Sequence, residues 1–384
     1  MGNLLKLRVP IAALIAGFSL GISRHILPVV YPSMHSIVGT MNFNLGMLTS
    51  SYYFTYMIFA LLFGSLSDRL NSRLILSICC LVVSVGSLGM GISKSPISLL
   101  TFSVVSGIGA GGLYVPMVSL LLKKYRTKRG FISSLVLTGE GISAMTMGIV
   151  IPHIVSLLDW RYVWWLFGLA AILFSLYLWL TIEDVRPEST LFIGATSSLT
   201  ILNMIKVKKV WSLGLIYFFH AVTRTVVLSF TVAYLISNGF SFTYASTAFS
   251  FLAIGMIPGA SLSGALADRF NNRSVVMTLL SLQIICVSML LLTPSYVVIL
   301  LFVLIEGFCI GGIPILMGIL PANYFTQDMY GKVLGFVTLM LGLGVSISPL
   351  IGGYVGDATN CLSTPLLLGL ATSFVSLGIT FFRL

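Results

Sequence analysis

The sequence predicts an all-α, polytopic membrane protein in which twelve membrane-spanning helices form two related bundles of six. Two observations lead to this prediction. Of the 384 residues, 57% are hydrophobic and only 8% are charged, and the mean hydropathy of +1.06 lies far above the range of soluble domains. In addition, a ten-residue phrase occurs twice at a 200-residue offset, as GSLSDRLNSR at 64–73 and GALADRFNNR at 264–273. A phrase repeated at that distance indicates a duplicated structural unit.

Apolar runs of about 20 residues recur along the chain, and each could cross a hydrocarbon core of about 30 Å. The first run follows Lys6 and Arg8 and continues to full span length, so we interpret it as a retained helix and not as a cleaved signal peptide. We number the predicted spans 1 to 12 in chain order: 9–33, 44–66, 74–93, 97–122, 130–155, 160–182, 209–237, 241–266, 274–292, 296–320, 331–356 and 362–382.

The longest polar stretch divides the chain into two halves. We expect an N-terminal six-helix bundle at 1–182, a linker at 183–208 and a C-terminal six-helix bundle at 209–384. Most other turns are short, and short turns make neighbouring helices antiparallel.

The net charge of +11 follows membrane topology and does not indicate a nucleic-acid partner. Of the 21 Lys and Arg residues, all but four lie at the termini or in the even-numbered turns. The exceptions are Lys94 and Arg161 in odd-numbered turns, and Arg24 and Arg224 inside apolar spans. The positive-inside rule therefore predicts a multi-pass protein of the cell membrane with both termini and the linker in the cytoplasm. We expect a lipid-embedded monomer without nucleic acid.

Nothing in the sequence indicates a metal site, a cofactor or an enzyme activity. The five cysteines have no CxxC spacing. Residues 107–112 match the GxGxxG pattern of dinucleotide sites, but they lie inside an apolar run, where glycines allow helices to pack closely. Because the chain also lacks a phosphate-binding loop, ATP-driven transport has no support.

The repeated phrase resembles the signature of the major facilitator superfamily, GxLxDRxxxR between spans 2 and 3, here repeated between spans 8 and 9. This resemblance implies two pseudo-symmetric bundles and secondary active transport by alternating access. It also implies a conformational or gating role for the residues of the phrase, unless its arginines only determine topology. These candidates are Gly64, Asp68, Arg69, Arg73, Gly264, Asp268, Arg269 and Arg273.

Two arginines lie inside spans and are related by the same 200-residue offset, Arg24 in span 1 and Arg224 in span 7. A membrane-buried arginine costs on the order of 2.5 to 3.5 kcal/mol even on the translocon scale, so it indicates function. Guanidinium groups bind carboxylate, phosphate and nitrate, and we predict that the two arginines form a cationic clamp for a small anionic substrate. The alternative is that each arginine is paired internally or snorkels to a membrane face.

The arginine pair also carries a second resemblance, on fewer residues. Together with Tyr234 and Leu235 after Arg224, it is similar to the pattern of the organophosphate:phosphate antiporter branch of the superfamily. In that branch the two arginines grip the phosphate of the substrate. The resemblance therefore implies that Arg24 and Arg224 bind an anionic group.

Two further residues are predicted to contact the substrate. His220 precedes Arg224 by four residues and shares its helical face. Tyr114 lies in span 4 and is a candidate for the lining of a cavity. The alternatives are a histidine that binds a neighbouring backbone or hydroxyl group, and a tyrosine that anchors the membrane interface.

Two acids inside spans, Glu140 in span 5 and Glu306 in span 10, are candidates for proton coupling. A carboxyl group removed from water and placed near an arginine can exchange a proton during a transport cycle. The alternative is a permanent salt bridge to Arg24 or Arg224. The offset does not relate the two acids, because it pairs Glu140 with Met340 and Glu306 with Ser106.

We therefore predict a secondary active transporter of a small anionic solute (an organic acid, a phosphate ester or an inorganic anion) that couples to protons or works by exchange. A first alternative is proton-driven efflux of lipophilic or cationic drugs, with the two acids as receptors. Drug:proton antiporters usually have an arginine at the position of Ser103 and a Gly-Pro pair in span 5, and this chain has neither. A second alternative is a membrane sensor that does not transport.

Overall fold

The computed structural model describes residues 2–34, 37, 42–67, 70–125, 129–182 and 207–384. Within these residues all regular secondary structure is helical, and twelve helical segments are long and apolar enough to span a membrane. Numbered as above, the spans contain the helices Gly2–Val30 (1), Asn42–Leu66 (2), Ser72–Ile92 (3), Pro96–Gly111 and Tyr114–Lys124 (4), Arg129–Leu157 (5), Arg161–Thr181 (6), Lys208–Ser237 (7), Phe242–Ser250 and Leu252–Arg269 (8), Asn272–Leu292 (9), Tyr296–Tyr324 (10), Gln327–Thr359 (11) and Ser363–Arg383 (12). The predicted fold class is confirmed.

The chain divides into two compact units. Unit 1 comprises Met1–Ser189 together with the short helix Phe242–Ser250, and unit 2 comprises Thr190–Ser241 and Phe251–Leu384. The predicted linker at 183–208 lies outside the described residues except for its last two positions. Its boundaries, and those of the two bundles, therefore stay predictions.

Both units use the same order of helix packing. In unit 1, span 1 packs against spans 5 and 6, span 2 against span 4, and span 3 against spans 4 and 6. In unit 2, span 7 packs against spans 11 and 12, span 8 against span 10, and span 9 against spans 10 and 12. Adding six to each span number of the first set gives the second, so the sequence repeat is also a repeat of tertiary structure.

Glycines set the close approach of spans 2 and 4 and of spans 8 and 10. A Cβ atom on Gly107 would collide with the carbonyl oxygen of Tyr52, and one on Gly307 would collide with the carbonyl oxygen of Leu252. The colliding residues are related by the same 200-residue offset as the glycines. The expectation that the glycines of 107–112 serve helix packing is confirmed at Gly107.

The repeated phrase builds equivalent helix starts in both units. Asn71 caps span 3, and its side-chain oxygen accepts a hydrogen bond from the backbone N–H of Arg73 at 2.9 Å. Asn271 caps span 9 in the same way, with the backbone N–H of Arg273 as donor at 3.0 Å. Each asparagine thus satisfies a backbone donor that the helix leaves open.

The arginine at the end of each phrase reaches the last span of its own unit. The guanidinium carbon of Arg73 lies 4.1 Å from the ring centre of Trp179 in span 6. Arg273 donates a short hydrogen bond from Nη2 to the carbonyl oxygen of Phe381 in span 12. Both arginines therefore connect a turn to a helix end within their own bundle.

Candidate functional site

The two charged residues inside the spans of unit 1 form an ion pair. Nη1 of Arg24 donates to Oε1 of Glu140 at 2.8 Å, and the side chains are 11% and 2% exposed. Spans 1 and 5 can approach this closely because Gly139 has no side chain, since a Cβ there would collide with the carbonyl oxygen of Leu14. In this conformation Glu140 is the salt-bridge partner of Arg24, which was the alternative to a free protonation site.

Tyrosine rings of span 2 surround the guanidinium group. The guanidinium carbon of Arg24 lies 4.5 Å from the ring centre of Tyr56 and 6.0 Å from that of Tyr53, which is the range of cation–π contacts. The hydroxyl group of Tyr52 lies 2.8 Å from Oγ of Ser23. Nε of Arg24 is buried and has no hydrogen-bond partner in the described part of the chain. The ion pair therefore leaves the Nε–H donor of the guanidinium group unused.

Two more residues of unit 1 lie near the ion pair. Nε2 of His25 is 3.8 Å from Oε1 of Glu140, and the imidazole ring contacts Phe249 with the ring centres 6.3 Å apart. Helix geometry turns His25 about 100° away from Arg24, so the sequence predicts a purely structural role for it. The carboxylate nevertheless lies within reach of both side chains. Tyr114 is close enough to interact electrostatically with Glu140 and Arg24.

Unit 2 holds its buried acid in a chain of hydrogen bonds. Nε2 of Gln283 donates to Oε1 of Glu306 at 2.8 Å, and Oε1 of Gln283 lies 3.4 Å from Nδ1 of His220. An amide oxygen can only accept, so Nδ1 of His220 carries the hydrogen in this contact. The thiol of Cys286 donates to Oε2 of Glu306 at 3.6 Å. All four side chains are buried.

Arg224 differs from Arg24, its mate in the repeat. It is half-buried in span 7 and close enough to His220 and Glu306 to interact with both electrostatically. Among the residues that the structure describes, no hydrogen bond or ion pair to its guanidinium group is formed. The structure thus brings three predicted site residues of unit 2 together. Pairing of Arg24 with Arg224 in a clamp stays a prediction.

Sequence reasoning missed Gln283 and Cys286 in unit 2. A signal for one of them was present, because Gln283 is the one glutamine inside a predicted span. Its amide has two donors and two acceptor sites, which a buried position must satisfy with polar neighbours. The cysteine carried no such signal, since four of the five cysteines lie in spans.

The predicted gating residues that the structure describes lie at or near helix ends. The nearest side chains to a Cβ on Gly64 and on Gly264 would be Val115 and Ile315, which are again 200 residues apart. Asp268 and Arg269 are exposed. The remaining two candidates of the phrase in unit 1, Asp68 and Arg69, lie outside the described residues.

Comparison with known proteins gives a consistent result. A family model described as Major Facilitator Superfamily matches residues 13–219 and 213–384. The benzoate transport protein of Acinetobacter baylyi is 22% identical over 381 residues, which cover 86% of this chain and 80% of that protein. The membrane sensor protein UhpC of Salmonella typhimurium is 25% identical over 335 residues, or 79% of this chain and 75% of that protein. The solved structure of the nucleoside transporter NupG covers 98% of this chain and 97% of its own with a TM-score of 0.80 at 13% identity.

Proposed function

We propose that this chain transports a small organic anion together with protons. The chain belongs to the Major Facilitator Superfamily and is a multi-pass membrane transporter. The observation that carries the proposal is Arg224, whose half-buried guanidinium group makes no direct hydrogen bond or ion pair with any described residue. A charge in a membrane span is costly, and a bound carboxylate offsets that cost while accepting two parallel hydrogen bonds. The relationship to a benzoate transport protein supports a carboxylate as the first substrate to test.

Arg24 is proposed as the second anion-binding residue, with Glu140 as its competitor. The carboxylate of Glu140 binds Nη1 of Arg24 and neutralises its charge, which weakens the attraction of the guanidinium group for a substrate carboxylate. A proton that binds Glu140 removes its negative charge and frees the guanidinium group. The anion and the proton therefore favour each other's binding, and this reciprocal coupling is consistent with symport.

Supporting roles are proposed for the remaining predicted residues. Tyr114, next to the ion pair, has a hydroxyl group that can donate to the anion, and His220, next to Arg224, can donate through Nε2 when that nitrogen also carries a proton. Glu306, bound by Gln283 and close to Arg224, is the second candidate for proton coupling. The repeated phrase is proposed to stabilise one conformation of the transport cycle, and the charge bias supports cytoplasmic termini.

Uptake of radiolabelled benzoate into proteoliposomes under an inward proton gradient tests the proposal. Arg224→Gln and Arg24→Gln should each lower uptake by about 10-fold or more, because each removes a charge-assisted hydrogen bond. The matched control is Arg161→Gln, since Arg161 pairs with Asp159 in an exposed turn. Wild-type uptake by either span variant would contradict the proposal. Unlabelled formate, sugar phosphates, nitrate and cyanate as competitors identify the preferred anion.

The alternatives predict different results in the same vesicles. Efflux of cationic drugs needs a free acid as the receptor, but Glu140 is bound by Arg24 and Glu306 by Gln283. A membrane sensor is the second candidate, because the membrane sensor protein UhpC is 25% identical over 79% of this chain. Benzoate binding without counterflow of preloaded label would favour the sensor over the transporter.

A further inference from the structure

Unit 1 contains a small pocket beside Arg24. Spans 1, 2, 3, 4 and 6 form it, and its lining includes Arg24, Thr49 and Trp164. Glu140, which is within the described part of the chain, does not line it. The pocket is therefore a second environment for Arg24, separate from its ion pair.

Three polar groups of the lining residues lack a partner among the described residues. They are Nε of Arg24, Oγ1 of Thr49 and the indole Nε1 of Trp164. The last two residues are deeply buried, with 5% and 2% of their surface exposed. Guanidinium and indole N–H groups can only donate, and the threonine hydroxyl can also donate. Buried donors without acceptors are rare in folded proteins, and they indicate that a ligand or water completes them.

Two other hydroxyl groups of the lining already donate within the bundle. Oγ of Ser23 donates to the carbonyl oxygen of Leu20 at 2.7 Å, and Oγ of Ser103 donates to that of Leu48 at 2.7 Å. The unused hydrogen-bonding capacity of the pocket is thus concentrated in donors. A ligand rich in acceptors and negatively charged would match both this capacity and the charge of Arg24.

We propose that this pocket is an anion subsite that receives the carboxylate group of the transported acid, held by Arg24 Nε–H, the Thr49 hydroxyl and Trp164 Nε1–H. This inference rests on the proposed function and adds the residues that recognise the substrate. Leu27, Pro28 and Met90 also line the pocket, whose volume of about 20 Å³ admits the carboxylate group and leaves the hydrocarbon part of the acid outside. The ion pair with Glu140 uses Nη1, so the subsite engages a different nitrogen of the same guanidinium group.

Equilibrium binding of radiolabelled benzoate to the purified full-length protein tests the subsite. Thr49→Val and Trp164→Phe each remove one donor and retain most of the side-chain shape. We expect each to raise the Kd for benzoate about 10-fold, because each deletes a hydrogen bond to a charged group. Size-exclusion profiles and thermal unfolding first establish that both variants fold as the wild type does.

Two controls isolate the pocket from general effects. Thr55→Val removes a hydroxyl group of the same span whose hydrogen already goes to the carbonyl oxygen of Ser51 at 2.6 Å. Trp160→Phe removes an indole N–H that is also buried and unpartnered but does not line the pocket. Both controls should bind benzoate with the wild-type Kd. An equal loss of affinity in Trp160→Phe and Trp164→Phe would overturn the proposal.

Competitors distinguish the chemical class of the ligand. Sodium formate should displace benzoate, because it carries the same carboxylate group, whereas sodium chloride and neutral benzamide should not. Displacement by chloride that also depends on Thr49 and Trp164 would overturn the proposal in favour of an inorganic ion site. A wild type that binds neither benzoate nor formate would overturn it as well.

The two proposals can fail separately. Unchanged benzoate affinity in Thr49→Val and Trp164→Phe, together with loss of uptake in Arg224→Gln, would remove the subsite and leave the transport proposal standing. Weaker binding in the two pocket variants, together with normal uptake in Arg224→Gln, would support the subsite and contradict the role proposed for Arg224.

Discussion

Units 1 and 2 share one helical frame but hold their buried acids in different ways. In unit 1, Glu140 is bound directly by Arg24 at 2.8 Å. In unit 2, Glu306 is bound by the amide of Gln283, and Arg224 makes no ion pair within the described chain. Equivalent helices and turns of the two units are 200 residues apart in the sequence, whereas the two acids are not. Helix packing and turns are therefore common to both units, and the chemistry of each unit is its own.

The difference changes the electrostatic state of the two arginines. Arg24 is neutralised by Glu140 of its own unit, so its attraction for an anion is weakened, although the ion pair leaves its Nε–H unused. Arg224 has no such direct partner among the described residues, so it should attract an anion more strongly than Arg24 does. We expect substitutions of the acids to have unequal effects in the two units, and substitutions of the shared frame to have equal ones.

The largest difference is expected between Glu140→Gln and Glu306→Gln. The first variant leaves the mostly buried guanidinium group of Arg24 without a counter-ion, and breaking a buried ion pair costs about 3 to 5 kcal/mol of unfolding free energy. The second keeps an amide oxygen that still accepts the hydrogen bond of Gln283, so the loss should be much smaller. Thermal unfolding in detergent measures both. Equal losses would show that the two clusters are energetically alike.

A double variant and a ligand sharpen this result. Arg24→Gln combined with Glu140→Gln removes both charges and should recover most of the stability lost in Glu140→Gln alone. Benzoate should stabilise Glu140→Gln more than the wild type, because the anion replaces the lost counter-ion. Benzoate uptake by the wild type should depend on an inward proton gradient. In Glu140→Gln this dependence should be absent, because an amide cannot take up the proton.

A smaller effect is expected from Gln283→Leu, which breaks the hydrogen-bonded chain of unit 2. The substitution leaves Oε1 of Glu306 and Nδ1 of His220 without their amide partner, at a cost of about 1 to 3 kcal/mol. It should also change the pH profile of uptake, because Glu306 loses the donor that stabilises its carboxylate form. A purely structural role would lower stability and leave the pH profile unchanged. Combining it with Glu306→Leu should cost less than the sum of the two single substitutions.

The fold could be predicted almost completely from the sequence, because it depends on patterns that extend over many residues. Spans of about 20 apolar residues are hard to mistake for anything else, and the repeated phrase reports the duplication directly. The glycine at 107 was predicted to serve close packing from its place in an apolar run. The contact that requires it, with the carbonyl oxygen of Tyr52, needed the three-dimensional structure.

The site could be predicted only in part. Arg24, Glu140, Arg224 and Glu306 were found because a charge in a span is costly and therefore conspicuous. Their partners were not, since each depends on which faces of two helices meet. Glu140 of span 5 contacts Arg24 of span 1. Gln283 of span 9 contacts both Glu306 of span 10 and His220 of span 7.

Neutral polar residues were the hardest to predict. Thr49 and Trp164 look like ordinary residues of a membrane helix, because threonine is common where membrane helices pack together and tryptophan is common at membrane–water interfaces. What distinguishes them is that the Thr49 hydroxyl and the Trp164 indole N–H have no hydrogen-bond partner among the described residues of the packed bundle. Only the three-dimensional structure shows this.

The smallest predicted effect tests the shared frame. Asn71→Ala and Asn271→Ala each remove the side-chain cap of a helix start, which costs about 1 kcal/mol of unfolding free energy. The two losses should be equal within error. They should also add in the double variant, because each cap bonds only a residue of its own unit. Asn71→Ser and Asn271→Ser retain a capping oxygen and should recover the loss. Unequal losses, or a fall in benzoate uptake without any fall in stability, would mean that one copy of the phrase also acts in the conformational cycle, and the frame would then not be equivalent in the two units.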